Sequence, residues 1–133
     1  MTRAYLYRTK LSGANLSGVD FQDGGSWEPD FSGANLSRIN MSRALLENAI
    51  FSEANLTEAN LTDARLAYAR LINADLSGAD LKNASLIGVH FINTNLSGAN
   101  LAGADLKLAR FRGVDLSQVN LSDEQRADAV HLE

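Results

Sequence analysis

With 133 residues and a net charge of −4, the chain is long enough for one domain with one continuous core, and its mildly acidic balance does not mark a nucleic-acid binder. It has no Cys, which excludes disulfides, thiolate metal sites and cysteine nucleophiles. No apolar run approaches a membrane span, and Met1-Thr2-Arg3-Ala4-Tyr5-Leu6-Tyr7-Arg8 lacks the apolar centre of a signal peptide. The expected compartment is therefore the cytoplasm, with a periplasm or lumen reached through a removed signal peptide as the alternative.

From Ala4 onward the chain repeats every five residues. Reading every fifth position from Leu6 to Leu121 gives Leu, Phe or Met each time, with Ser26 as the one exception. Two residues before each centre stands a small residue, most often Ala, as in Ala14-Asn15-Leu16-Ser17-Gly18. A period of five fits neither regular element. On an α-helix it turns the chain by roughly 500° and scatters the Leu positions around the cylinder. On a straight strand an odd period sends successive Leu to opposite faces. One-sided burial then requires a bend in every unit, and the Asn, Asp, Ser and Gly between the centres supply turn chemistry.

The number of units per coil follows from a second period. Phe31, Phe51, Phe91 and Phe111 share a stride of 20, and Leu11 and Leu71 complete that column. The preceding residue agrees: Asn15, Asn35, Asn55, Asp75, Asn95 and Asp115 form one column, and Asp20, Asn40, Asn60, Asp80, Asn100 and Asn120 a second. Four units per coil and about six coils are expected. The unit Ala-Asn/Asp-Leu-Ser/Thr-X, over residues 4–122, resembles that of the pentapeptide-repeat family. The resemblance implies an all-β fold, a right-handed quadrilateral β-helix (β-solenoid), with the Leu/Phe centre and the preceding small residue pointing inward.

One unit breaks the pattern, between Gln22 and Asp30. Because Asn15 and Asp20 keep phase with Asn35 and Asn40, the irregular unit is expected to occupy one face, as an irregular corner, and not to leave the coil. Gly24-Gly25 permit unusual backbone angles and Pro29 restricts its neighbours. A tolerated irregularity is preferred over a recognition bulge displaying Trp27. After Leu121, Ser122-Asp123-Glu124-Gln125 reads as a capping box and predicts a short helix over 123–130, lying on the last coil. Residues 1–133 are then a single repeat domain with this helix as its cap. Open solenoid ends expose unpaired edges, which leaves the N-terminal end free for stacking. The family resemblance implies that a dimer through the C-terminal helix is open to this chain.

No catalytic, cofactor or metal constellation assembles. The two histidines, His90 and His131, are far apart in the coil. The Ser/Thr column from Ser17 to Ser117 has no base beside it. The Asn/Asp columns read as side-chain hydrogen-bond ladders, because only four of their twelve members are charged and calcium prefers more carboxylates.

The faces differ. Those centred in the phases of Leu16 and Phe21 carry the ladders. Those in the phases of Leu6 and Leu11 carry every large apolar residue at an outward position: Tyr5, Tyr7, Trp27, Leu45, Ile50, Tyr68, Ile72, Ile87, Ile92 and Leu108. Arg65, Arg70, His90, Lys107, Arg110 and Arg112 share that side. Candidate partner-binding residues are Trp27, Leu45, Ile50, Tyr68, Arg70, Ile72, Ile87, Ile92 and Arg110, since contiguous apolar area with Arg and Tyr is what interfaces use. A plain strand surface, which also favours β-branched residues, is the competing reading. The function expected is a non-catalytic scaffold or protein-interaction module, with a protein partner or self-association and neither nucleic acid nor membrane insertion. The family resemblance implies an alternative, a DNA-mimicking binder of a type II topoisomerase (gyrase) of the quinolone-resistance type. The modest net charge and the Arg residues weaken it. An enzyme is remote, because a core filled by Leu and Phe leaves no pocket.

Overall fold

Most units close on one backbone hydrogen bond. The amide of the small residue donates to the carbonyl of the preceding centre, as from Ala54 to Phe51, Ala59 to Leu56 and Ala64 to Leu61, all at 3.0 Å. The residue two after the centre takes a positive φ, for example 59° at Glu53, 55° at Glu58 and 68° at Gly78. A tight turn with φ > 0 at its third residue needs this geometry. Gly and Asn suit it, yet Arg38, Tyr68 and Leu108 also adopt it. For such side chains the left-handed conformation costs about 1–2 kcal/mol, which neighbouring turns must offset.

The computed structural model describes residues 10–11, 13–19 and 28–131. Between turns the chain pairs in parallel with itself at a step of 20. Four columns of bridges run along it: Asn35–Asn55–Asp75–Asn95, Asn40–Asn60–Asp80–Asn100, Leu45–Arg65–Ser85–Asp105, and Asp30–Ile50–Arg70–His90. The faces are named below by their centres Leu36, Met41, Leu46 and Phe51. On the Phe51 face the pairing lengthens into three short strands, β1 (His90–Ile92), β2 (Arg110–Arg112) and β3 (Val130–His131), all parallel.

The core is the inner lining of these faces. From Phe31 to Leu106 the centres are essentially inaccessible, as are most of the Ala residues between them. Phe31 stacks on Phe51 with centroids 4.9 Å apart, and Phe91 on Phe111 at 4.8 Å, the rings nearly parallel in both pairs. These separations match the spacing of hydrogen-bonded strands, so the rings stack at the step of the backbone. Leu71 fills the column between the two pairs. Thr94 replaces Ala in one small-residue position, and its buried hydroxyl donates to the Leu71 carbonyl at 2.5 Å.

The register at the N-terminal end corrects the expectation for the irregular unit. Lys10 pairs with Asn35 and Asn15 with Asn40, a step of 25. The Leu45 amide donates to the Val19 carbonyl at 3.0 Å, while Ile50 donates to Pro29 with the ordinary offset. Between Val19 and Pro29 the chain therefore carries one unit more than the face requires. Asn15 belongs under Asn40, not Asn35, and Leu11 under Leu36, not Phe31. Most of the segment itself, with Trp27, lies outside the described residues.

At the C-terminal end, α1 (Asp123–Asp128) starts at the N-cap Ser122 with both halves of the capping box formed. It ends two residues sooner than the sequence expects, because Val130 returns to the ladder beside Arg110. Arg110 to Val130 is again a step of 20, so α1 takes the place of the unit that would continue the Leu46 face. Gln125 stands where the bridge residue after Asp105 would be. Its buried side chain donates to the carbonyls of Leu101 at 2.7 Å and Ala104 at 3.0 Å. In earlier coils a backbone amide supplies the second of these bonds, as Asp105 does to Ala84.

Candidate interaction surface

The Asn and Asp side chains fix the turns. In the position just before a centre, nearly every one accepts, at Oδ1, the amide of the residue two further on: Ser37 to Asn35 at 3.2 Å, Thr57 to Asn55 at 3.0 Å, Ser77 to Asp75 at 2.9 Å. The Ser or Thr hydroxyl often donates to the same oxygen, as at Thr62 and Ser97. These are local Asx turns, so the expected ladders between coils give way to bonds within each unit. Asn100 to Asp80 at 3.2 Å is a bond along a column. The Ser117 hydroxyl and amide hold the exposed Asp115 carboxyl below the usual range. Among the described residues no cluster of three or more His, Asp or Glu is arranged to hold a metal. A groove of about 510 Å³ lies between the last coil and α1, lined by Lys107, Glu124, Gln125 and Asp128 among others. Its buried amide, Gln125, is committed to backbone carbonyls.

The other two faces hold the large outward apolar residues and most of the cationic ones. On the Phe51 face, Ile50, Arg70, His90 and Arg110 follow one another in one column. Ile72 and Ile92 sit beside them on adjacent coils, where the Asn73 amide donates to the Ile92 carbonyl. On the Leu46 face, Leu45 and Arg65 are paired, and Tyr68, Ile87 and Leu108 lie at the turns. The stacked side chains shield one another: Leu45, Ile50, Ile72, Ile87 and Ile92 are half-buried, whereas Tyr68 is 56% and Leu108 60% exposed. The open apolar area is thus smaller than the sequence suggests and is concentrated at the turn between the two faces.

Gly88 organises that turn, and sequence reasoning passed over it. A Cβ at Gly88 would stand 2.6 Å from Cδ1 and Cε1 of Tyr68. The phenol ring therefore lies directly on the Gly88 backbone, one coil below its own. The available signal was a Gly between Tyr68 and Leu108 in the left-handed column.

Charge on this side is partly neutralised within the chain. Arg65 meets Glu47 at 2.8 Å and Arg70 meets Glu28 at 3.7 Å. Arg110 and Arg112 are exposed and form no ion pair among the described residues. Burial, then Arg110, then Arg70 push the His90 imidazole below its ordinary value. At neutral pH it is an uncharged member between two guanidinium groups.

The family profile for pentapeptide repeats matches in eight copies, over residues 1–23, 30–63, 59–94 and 84–123. The chain belongs to the pentapeptide-repeat family. The unmatched residues 24–29 coincide with the place where the pairing step changes from 25 to 20. Among solved pentapeptide-repeat structures, one from the Arabidopsis thaliana thylakoid lumen is 36% identical, with a TM-score of 0.70 over 88% of this chain and 74% of that one. HetL, involved in heterocyst differentiation regulation in the cyanobacterium Nostoc sp. strain PCC 7120, is 30% identical, with a TM-score of 0.66 over 86% of this chain. The present chain spans 60% of HetL. Trypsin-treated QnrB1, a plasmid-mediated fluoroquinolone resistance protein, shares the fold at 19% identity and a TM-score of 0.51, over 97% of this chain and 75% of that one. Comparison with curated proteins finds no match.

Proposed function

We propose that this pentapeptide-repeat protein is a non-catalytic scaffold that binds another protein through its Leu46 and Phe51 faces. The reading takes the chain as a right-handed quadrilateral β-helix of about six coils, closed at one end by α1. The observation that carries it is the Phe51-face column, where Arg70, His90 and Arg110 stand on successive strands beside Ile72 and Ile92. Apolar residues with exposed Arg and a neighbouring Tyr are the composition that interfaces favour. Among the described residues no helix is long and apolar enough to cross a membrane. The lumenal relative supports an aqueous compartment, cytoplasm or lumen. Replacing Ile72, Ile92 and Tyr68 together by Ser should abolish self-association or partner capture with the fold intact by circular dichroism. Unchanged association would remove the reading.

A second reading is a DNA-mimicking binder of a type II topoisomerase. Asp63, Asp75 and Asp80 on the Leu36 and Met41 faces favour it. Arg38, which pairs with Glu58 at 2.8 Å, and Arg43 and Lys82 on the same faces oppose it, as do the Arg residues opposite. Gyrase supercoiling with and without a quinolone tests it, and no effect at micromolar protein would eliminate it.

A further inference from the structure

The charges on the Phe51 face are sorted by sign along the solenoid. Glu28, Asp30 and Glu53 lie at one end. Arg70 stands in the middle and is met by Glu28. Arg110 and Arg112 lie at the other end, exposed and without an ion pair among the described residues. Four coil steps separate Asp30 from Arg110, roughly 19 Å at the spacing of paired strands. Ile50, Ile72 and Ile92 fill the stretch between.

We propose that this face binds a second copy of the same chain, with the two solenoids antiparallel. The proposal rests on the reading of this side as an interaction surface and names its occupant. Two identical faces can meet about a two-fold axis in the plane of contact in two ways. With the axis along the solenoid, every coil meets itself, and Arg110 and Arg112 face their own copies. With the axis across the solenoid, the order of coils reverses. Arg110 and Arg112 of one copy then lie against the end of the other that carries Asp30 and Glu53, with Glu28 held by Arg70 beside them. The isoleucines meet isoleucines near the axis, and Arg70 there already carries its Glu28 partner. Only the antiparallel arrangement turns like-charge contacts into opposite-charge contacts at both ends. A single acidic partner would use the Arg end and leave the acidic end without a role.

The size of the face sets the strength. Five coils, each about 4.8 Å deep, and a side of roughly 10 Å give a footprint of about 250 Å², well below the ~800 Å² per partner of a standard interface. The dimer is therefore weak and transient, and its end contacts are exposed and screened by salt.

Sedimentation equilibrium of the full chain over about 0.05–1 mM tests this, at low and at high salt. Dimer is expected at the upper concentrations and low salt, and is lost at high salt. Arg110→Glu/Arg112→Glu and Glu28→Arg/Glu53→Arg should each be monomeric alone and form a heterodimer when mixed. That restoration shows that both variants are folded. Arg38→Glu/Lys82→Glu, which changes charge equally on the other faces, should leave the dimer intact. A chain monomeric at 1 mM, dimer surviving either reversal, or no heterodimer on mixing overturns the proposal. If the wild type is monomeric while Ile72→Ser/Ile92→Ser/Tyr68→Ser loses a captured partner, the dimer fails and the interaction surface stands. If that variant keeps both dimer and partner, both fail.

Discussion

Gln125 is the residue on which the end of the solenoid depends, and replacing it with Glu tests that role. The side chain donates at 2.7 Å to Leu101 and at 3.0 Å to Ala104, and its Oε1 accepts the Ser122 amide at 2.9 Å. Gln125→Glu keeps the acceptor half of the capping box and removes both donor bonds. The Leu101 carbonyl still accepts the Ala104 amide, so its loss is one bond, about 0.5–1.5 kcal/mol. The Ala104 carbonyl loses the donor that replaces the next coil, and a buried orphan costs about 1–3 kcal/mol. The total is about 1.5–4.5 kcal/mol, increased by the repulsion between a carboxylate and two carbonyl oxygens. That repulsion raises the folded pKa of the introduced carboxyl above its unfolded value. The variant is then closest to wild type below the ordinary Glu pKa and loses stability as pH rises through the folded pKa. Urea unfolding at pH 4 and pH 7, with amide exchange at Arg126 and Ala129, reads both effects. Wild-type midpoints at both pH values, with unchanged protection of these two amides, would refute the assignment.

Leu71→Ala empties the gap between the two Phe pairs, and a loss of about 2–5 kcal/mol is expected by urea titration. A loss below 1 kcal/mol would mean that the coils close over the gap. Gly88→Ala places a methyl against the Tyr68 ring and forces Ala to a φ of 64°. A thermal-unfolding cycle with Tyr68→Ser should show the double variant more stable than the sum of the single losses, whereas strict additivity would deny the contact. The His90 imidazole should titrate below the ordinary His value by NMR, and Arg110→Ser should move it upward. Because its folded pKa is depressed, the small associated stability is present above the unfolded pKa and lost as pH falls through the folded one.

Much of the coil was legible in the sequence because burial leaves a mark at every fifth residue. The lining is narrow, so Leu, Phe or Met recurs at the centre and most often Ala two before it. The capping box of Ser122 and Gln125 likewise announced α1 through residue types with a single structural use. The extra unit between Val19 and Pro29 was not legible, for a physical reason. Inserting five residues into a five-residue repeat leaves every centre in phase and only shifts the faces. Asn15 under Asn40 therefore reads the same as Asn15 under Asn35, and only backbone pairing separates them. The Asn/Asp columns were seen, but their bonding was not, because an Asx turn and an inter-coil ladder use the same residue. The candidate surface was legible as composition. Its true exposure was not, since Ile72 and Ile92 shield each other only once the coils stack, and Gly88 acquires its role from a ring one coil away.

The claim that the Leu46 and Phe51 faces, and not the Leu36 and Met41 faces, meet a second copy of this chain is tested most directly by methyl NMR. Spectra of the full chain are compared from about 0.05 to 1 mM at low salt, where exposed charges are least screened. Concentration-dependent shifts confined to Ile50, Ile72, Ile87 and Ile92, with Thr57 and Thr62 unmoved, are the predicted result. Shifts centred on Thr57 and Thr62, or none on any isoleucine, would contradict it.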